Sequence, residues 1–268
     1  WAVIERENIT RGLAVPAMLN FMLQVPEFSR FDYSKLKWVM TGAAPVPPQL
    51  TATFHDIGIN VQQIYGLTET CGPACLMDSE NALLKPDSTG QAFFHTEVKI
   101  ADDDGNECPR GVAGEVLVRG EHIMTEYWNR PEATAETIVD GWLRTGDVAT
   151  MDEQGYVRIQ DRIKDMVISG GENVYPAEIE GVLMSHPGIR EAAVIGQESA
   201  RWGESPLAIV VLADDNLAKA DILEFCQGRL ARFKQPQSVE FVSEIPRNPS
   251  GKILKRVLRE QFPDAAPI

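Results

Sequence analysis

The stretch Leu36–Ile64 constrains the fold of this chain more than any other. "LKWVMTG" is an apolar run of strand length, and Gly42 to Pro45 is a turn of small residues. "PPQLTATFHDIG" has helical spacing behind prolines suited to a first turn, and "INVQQIYG" is a second apolar run. Strand, helix and strand in that order predict a βαβ unit with its two strands parallel. The loops Gly42–Pro45 and Tyr65–Thr70 then leave the sheet at one carboxyl edge, where open α/β sheets hold their ligands. The text ahead of this unit, "WAVIERENITRGLAVPAMLNFML", reads as helical.

Between about Pro86 and Gln160 the period changes to that of strands. "TEVKIA", "GEVLVRG", "DVATM" and "GYVRIQ" alternate and are separated by turns such as "DDDGN" and "DEQG", which predicts a small antiparallel barrel or sandwich. Asp102, Asp103 and Asp104 lack the closing glutamate of a calcium loop and read as a solvated hairpin turn. After Arg162 the text is α+β. "PAEIEGVLMSHPGI" and "KADILEFCQGRLARF" have helical spacing, "REAAVIG" and "LAIVVLA" read as strands, and "SVEFV" leads into the Pro/Gly-rich "IPRNPSGK".

Charge narrows the partners. The chain has 25 basic and 39 acidic residues, and a net charge of −14 argues against a grip on nucleic acid or an anionic membrane. Small molecules are the expected partners. No apolar run approaches the roughly 18 to 20 residues of a membrane helix, so a cytoplasmic protein is expected. The four cysteines, Cys71, Cys75, Cys108 and Cys226, are too few for a disulfide scaffold in 268 residues, and Cys71 with Cys75 has no second pair to complete a zinc site. His55, His95, His122 and His186 have no ligand-like spacing.

Several short strings carry chemistry. "QIYGLTET" (Gln63 to Thr70) puts an aromatic ring, a glycine, a hydroxyl and a carboxylate at the open end of a strand. That set offers a stacking face, close backbone approach, a phosphate hydrogen bond and a magnesium ligand. Alone it is equally an ordinary strand-to-helix turn capped by Thr68 or Thr70. "GAAP" (Gly42 to Pro45) is by itself most simply a Gly/Pro turn, but placed beside that string its small residues leave room for a flat base whose other face Tyr65 could cover. "WLRTGDVATMDEQGYVRIQDR" presents Asp147 after a tight "TG" turn and Arg162 after a strand. A carboxylate accepts both hydroxyls of a ribose and a guanidinium suits its oxygens, though an exposed Asp–Arg pair is the plainer reading. "ISGGENVYPAEIE" carries Gly170 and Gly171, and "PRNPSGKILKR" presents Lys252 ahead of a basic helix.

"YGLTET", "WLRTGD", "DRIKDMVISGGENVYPAEIE" and "PRNPSGKILK", in this order, resemble the adenylate-forming (AMP-binding) superfamily and, within it, the C-terminal half of bacterial fatty-acyl-CoA synthetases. The resemblance covers most of residues 36 to 260. It implies an α/β plus α+β architecture. Residues 1–85 are the C-terminal part of the large adenylation subdomain, 86–160 a small β-barrel subdomain and 161–268 a mobile lid. It implies ATP-dependent activation of a carboxylic acid to an acyl-AMP, then transfer to coenzyme A. By the same resemblance, Gly42, Ala43, Ala44, Tyr65 and Gly66 would frame the adenine, Thr68 would meet the α-phosphate, and Glu69 would hold Mg2+. Asp147 and Arg162 would take the ribose. Lys252 matches the adenylation lysine and Lys164 the hinge. Ser169, Gly170 and Gly171 would line the coenzyme A tunnel, and the acyl pocket would run past Cys71, Gly72 and Pro73.

One departure stands out: the family's Ser/Thr/Gly-rich phosphate loop is nowhere in the sequence. With the opening at Trp1, this gives the expectation of a truncated portion with little ATP-dependent activity alone. Transfer to a carrier-protein thiol, or a non-catalytic adenylate-binding module, are the alternatives. The acid, fatty or aryl, and the oligomeric state stay open.

Overall fold

A computed structural model describes residues 1–213, 217–248 and 251–263. The chain divides into two units, Trp1–Ile159 and Gln160–Ile268.

The first unit begins with α1 (Ala2–Arg6), β1 (Arg11–Leu13) and α2 (Pro16–Gln24). The helical reading of this text is therefore wrong in its middle. β1 pairs in parallel with β2 (Trp38–Gly42), Gly12 opposite Val39. Gly12 is a poor helix residue and Pro16 has no N–H to continue a helix, so ladder bonds to β2 win there. α3 (Pro48–Asp56) and β3 (Asn60–Leu67) complete the expected βαβ unit, with β2 and β3 parallel and Gly42 opposite Ile64. Leu19 of α2, Leu50 and Phe54 of α3, and Val39 and Val61 of the strands form one buried core. β4 (Gly72–Leu76) returns antiparallel to β3, and β5 (Gln91–Ala92) pairs with β4, giving the order β1-β2-β3-β4-β5.

A second sheet holds β6 (Glu97–Ala101), β7 (Gly114–Arg119), β8 (Ile138–Val139), β9 (Trp142–Met151) and β10 (Val157–Arg162), with α4 (Pro131–Thr137) ahead of β8. Its order is β10-β9-β7-β6, with β8 on β9. The alternation predicts a small antiparallel barrel or sandwich, and the strands form an antiparallel half-barrel whose end strands β10 and β6 do not pair with each other among the described residues. The sheet buries Ile100, Val116, Val118, Ala149 and Val157 against Ala74 and Cys75 of β4, so the two sheets share a core.

The second unit contains β11 (Val167–Ser169), β12 (Glu172–Val174), α5 (Pro176–Met184), β13 (Ile189–Ser199), β14 (Gly203–Leu212), α6 (Lys219–Cys226), β15 (Ser238–Phe241) and α7 (Lys255–Gln261). The β13–β14 hairpin is buried on both faces. Ala192, Val194, Ala208 and Val210 pack with Ile179 of α5 and Ile222 of α6, and Ala193, Ile195, Leu207 and Ile209 pack with Leu258 of α7. Double-sided burial is why both strands read as near-continuous apolar runs. The long helix read over "KADILEFCQGRLARF" stops at Cys226. Gln227 turns extended and Gly228 takes φ +76°, a helix-ending conformation, before a separate 3₁₀ turn at Arg232–Lys234. Of "PRNPSGK", Pro249 and Ser250 lie outside the described residues. No described helix is long and apolar enough to cross a membrane.

Candidate functional site

The first unit gathers most of the sequence-predicted residues at the carboxyl ends of β2 and β3. Gly42 closes β2 against β3 so tightly that a Cβ there would sit 2.2 Å from the Ile64 carbonyl oxygen. Any side chain would part the two strands. Gly66 is held the same way, 2.2 Å from the carbonyl oxygen of Gly72 across the β3–β4 ladder. After Gly42 the backbone turns outward through Ala43, which has φ +66° and is exposed, to the half-buried Ala44. The edge there carries only methyl side chains.

Tyr65 and Asp147 meet although 82 positions separate them: the Tyr65 hydroxyl donates to Asp147 Oδ2 at 2.7 Å. Asp147 is 5% exposed. Burial, then the neighbouring carboxylate, holds the Tyr65 phenol well above its ordinary pKa, so it stays a donor. Asp147 does not follow a tight turn, as its "TG" context suggested. Thr145 and Gly146 lie inside β9, where the register with β7 slips between Glu115 and Leu117 and Gly146 takes φ +70°. That bulge re-aims the strand. Glu115 builds it: Oε1 accepts from the Gly146 N–H at 2.9 Å and Oε2 from Arg144 Nε at 2.8 Å, while the Thr145 hydroxyl donates to the Val116 carbonyl.

The expected strand-to-helix turn after Leu67 is a 3₁₀ turn, Thr68–Thr70, that leads into β4. Thr70 is its buried pin, its hydroxyl oxygen accepting from the Leu67 N–H at 2.9 Å. Thr68 is thereby left exposed at the tip and Glu69 half-buried beside it. Cys71, at φ +49°, with Gly72 and Pro73 forms the start of the returning strand. Cys71 is exposed, while burial pushes the Cys75 thiol up to about 12. Among the described residues no group of three His, Cys, Asp or Glu side chains forms a metal cage. A single carboxylate beside a hydroxyl is the donor set that suits Mg2+ carried in on phosphates, since this ion keeps its waters and needs one or two protein oxygens.

In the second unit, Arg162 ends β10 and Lys164 lies exposed in the 3₁₀ turn Ile163–Asp165. Arg259 of α7 braces this turn, donating to Asp165 Oδ1 at 2.7 Å and to the Lys164 carbonyl at 3.3 Å. Ser169, Gly170 and Gly171 form the β11–β12 connection, where the Gly170 N–H donates to the Trp202 carbonyl at 2.8 Å. Ser169 lines a cleft of about 200 Å³ with Arg201, Trp202, Arg232, Phe233 and Gln237. Lys252 is half-buried, and its N–H donates to Asn248 Oδ1 at 2.8 Å.

Sequence reasoning missed Glu115 and Tyr127. Glu115 interrupts "GEVLVRG" as the one charged residue among inward-facing positions, a signal in retrospect. Tyr127, in loop text before α4, gave none.

Fold and site define an α/β protein whose ligand edge lies at the ends of parallel strands. A family model for AMP-binding enzymes matches residues 1–128, and one for the C-terminal domain of AMP-binding enzymes matches 178–252. The chain is 49% identical over its whole length to a long-chain-fatty-acid–CoA ligase of Mycobacterium tuberculosis, of which it covers 53%. It is 42% identical over 97% of its length to a feruloyl-CoA synthase of an Amycolatopsis species, again covering 53%. An O-succinylbenzoate coenzyme A synthetase from Bacillus subtilis, solved in complex with ATP and magnesium ion, superimposes with a TM-score of 0.87 at 35% identity, over 96% of this chain and 53% of that one. The chain belongs to the AMP-binding enzyme family. It spans about half the length of the relatives it matches.

Proposed function

We propose that this chain carries the nucleotide-binding and acyl-transfer residues of an AMP-forming acid–CoA ligase, as the C-terminal half of the whole enzyme. The observation that carries the reading is the buried Tyr65–Asp147 hydrogen bond at the sheet edge beside Gly42–Ala44. Tyr65 stands at the end of β3 beside the small residues Ala43 and Ala44, which leave room for a flat base, and Asp147, which it holds, is a carboxylate of the kind that accepts ribose hydroxyls. This set suits adenosine. Arg162 serves the ribose as well, and Thr68 the α-phosphate.

In the first half-reaction a carboxylate oxygen of the acid attacks the α-phosphorus of ATP. The new O–P bond forms as the bond to the bridging oxygen breaks, releasing pyrophosphate. Lys252 offsets the negative charge that gathers on the carboxylate and phosphate oxygens. Glu69 would hold Mg2+, which supplies neutralising charge to the phosphates when bound. In the second, the coenzyme A thiolate attacks the acyl carbon, a C–S bond forms and AMP leaves. The Ser169–Gly171 connection receives the thiol arm, a role that the adjoining cleft supports. We assign the pivot between the two half-reactions to Lys164, about which residues 161–268 turn as a lid. The acid is a fatty or aryl carboxylic acid, the range that the relatives' names span.

The test is AMP release by the full-length gene product, with a panel of fatty and aryl acids, with and without coenzyme A. Lys252→Ala, Asp147→Asn and the 268-residue chain are measured alongside. Coenzyme A-dependent release that collapses in both variants is expected. Release only with a phosphopantetheinyl protein would move the acceptor to a carrier, and AMP binding without release under any condition would leave a binding module.

A further inference from the structure

Glu69 does not sit alone on its turn. The Tyr127 hydroxyl donates to Glu69 Oε1 at 2.8 Å, and the Met124 N–H donates to the Glu69 carbonyl at 2.8 Å. Both partners come from the segment that joins β7 to α4, 55 and 58 positions away. Among the described residues the second carboxylate oxygen, Oε2, takes no hydrogen bond. One oxygen is therefore clamped and the other is not.

Tyr127 is itself held at two backbone points. Its N–H donates to the Thr134 hydroxyl at 2.9 Å, and its carbonyl accepts from the Arg130 N–H at 3.0 Å. Thr134 lies on α4 and its hydroxyl donates in turn to the Arg130 carbonyl at 2.9 Å, so the start of this helix fixes the backbone of the tyrosine. A flexible glutamate on a 3₁₀ turn has several rotamers, and a ligand that must first be sorted among them binds metal more weakly.

We infer that Tyr127, braced by Thr134, is the positioning residue that presents Glu69 to a nucleotide-bound divalent cation. Tyr127 touches neither the cation nor the reacting atoms. This rests on the proposed role of Glu69 as the metal carboxylate.

The experiment uses Mn2+ as probe with the non-hydrolysable α,β-methylene analogue of ATP on the full-length gene product. Free Mn2+ is counted by electron paramagnetic resonance, so the readout does not depend on turnover. Wild type, Glu69→Gln, Tyr127→Phe and Thr134→Val are compared, each with its melting temperature. Removing a hydrogen-bond partner of a metal ligand weakens metal binding by about 10- to 100-fold, and the partly exposed Tyr127 belongs near the lower end. Tyr127→Phe is expected to weaken Mn2+ binding about tenfold at an unchanged melting temperature, with a smaller loss in Thr134→Val. A Tyr127→Phe protein that binds Mn2+ like wild type while Glu69→Gln binds it poorly overturns the positioning role alone. Wild-type Mn2+ affinity in Glu69→Gln overturns the metal role of Glu69 and this inference with it. If Tyr127→Phe does not fold, Thr134→Val decides, and unweakened Mn2+ binding there overturns the inference.

Discussion

Replacing Glu115 by glutamine should unsettle the first unit far more than the same change at Glu97, although both glutamates pair with an arginine across neighbouring strands. Glu115 is 8% exposed and accepts from the Gly146 N–H at 2.9 Å and from Arg144 at 2.8 Å. An amide of the same shape keeps one acceptor and turns a donor towards the other partner, so one N–H of the bulge or the guanidinium is left facing another donor. Breaking a buried pair costs about 3–5 kcal/mol, and the Arg144 side chain, 35% exposed, recovers part of that from water. About 2 kcal/mol remains, or a fall of about 4–8 °C in the melting temperature for a unit of this size. Glu97 and Arg119 form a forked pair at 2.9 and 2.5 Å, better geometry by distance, but their side chains are 60% and 44% exposed. Glu97→Gln should melt with wild type. Circular dichroism melts of the 268-residue chain give both numbers. Equal shifts in the two variants would refute the idea that burial and the bulge, not the count of charged hydrogen bonds, set the value of Glu115.

Two further outcomes are expected. The Tyr156 hydroxyl donates to Asp78 Oδ2 at 2.5 Å, and this bond to the carboxylate, followed by burial, pushes its pKa from 10.0 up to about 12. The folded state then keeps a proton that the unfolded chain releases, so stability present below pH 10 is lost between about pH 10 and 12. Urea midpoints across that range should fall more steeply for wild type than for Tyr156→Phe; parallel curves would exclude Tyr156 as the source. Gly66→Ala, whose new Cβ would lie 2.2 Å from the Gly72 carbonyl oxygen, should cost about 3 kcal/mol or prevent folding. Gly58→Ala, at φ +86° with open space around it, should cost only about 1 kcal/mol by the same urea titration.

What could be read from the text followed how locally each feature is determined. The βαβ unit was legible because strand, helix and strand each carry their own period, and the prolines before Gln49 mark the helix start without help from elsewhere. β1 was not: "RGL" gains its conformation from Lys37–Met40 alongside, and nothing inside the three residues says so. Tyr65 and Asp147 were each legible as candidates, while their direct bond was not, since it depends on how β9 bulges. That bulge is ordered by Glu115, a side chain two strands' text away. Tyr127 lay beyond reach for a similar reason, as its role is defined only by the turn it meets.

The β13–β14 hairpin has a consequence for how the second unit opens and closes in solution. Its strands run from Ile189 to Leu212 with a short connection, and α5, α6 and α7 cover both sides. β14 also lies between β13, β11 and β15, so its amides cannot reach water unless a helix layer and a neighbouring strand come away. Their protons should therefore exchange with deuterium last in the unit, on the timescale of complete unfolding, so that a few slow amides such as those of Leu207 and Ile209 serve as a gauge of the whole unit's stability.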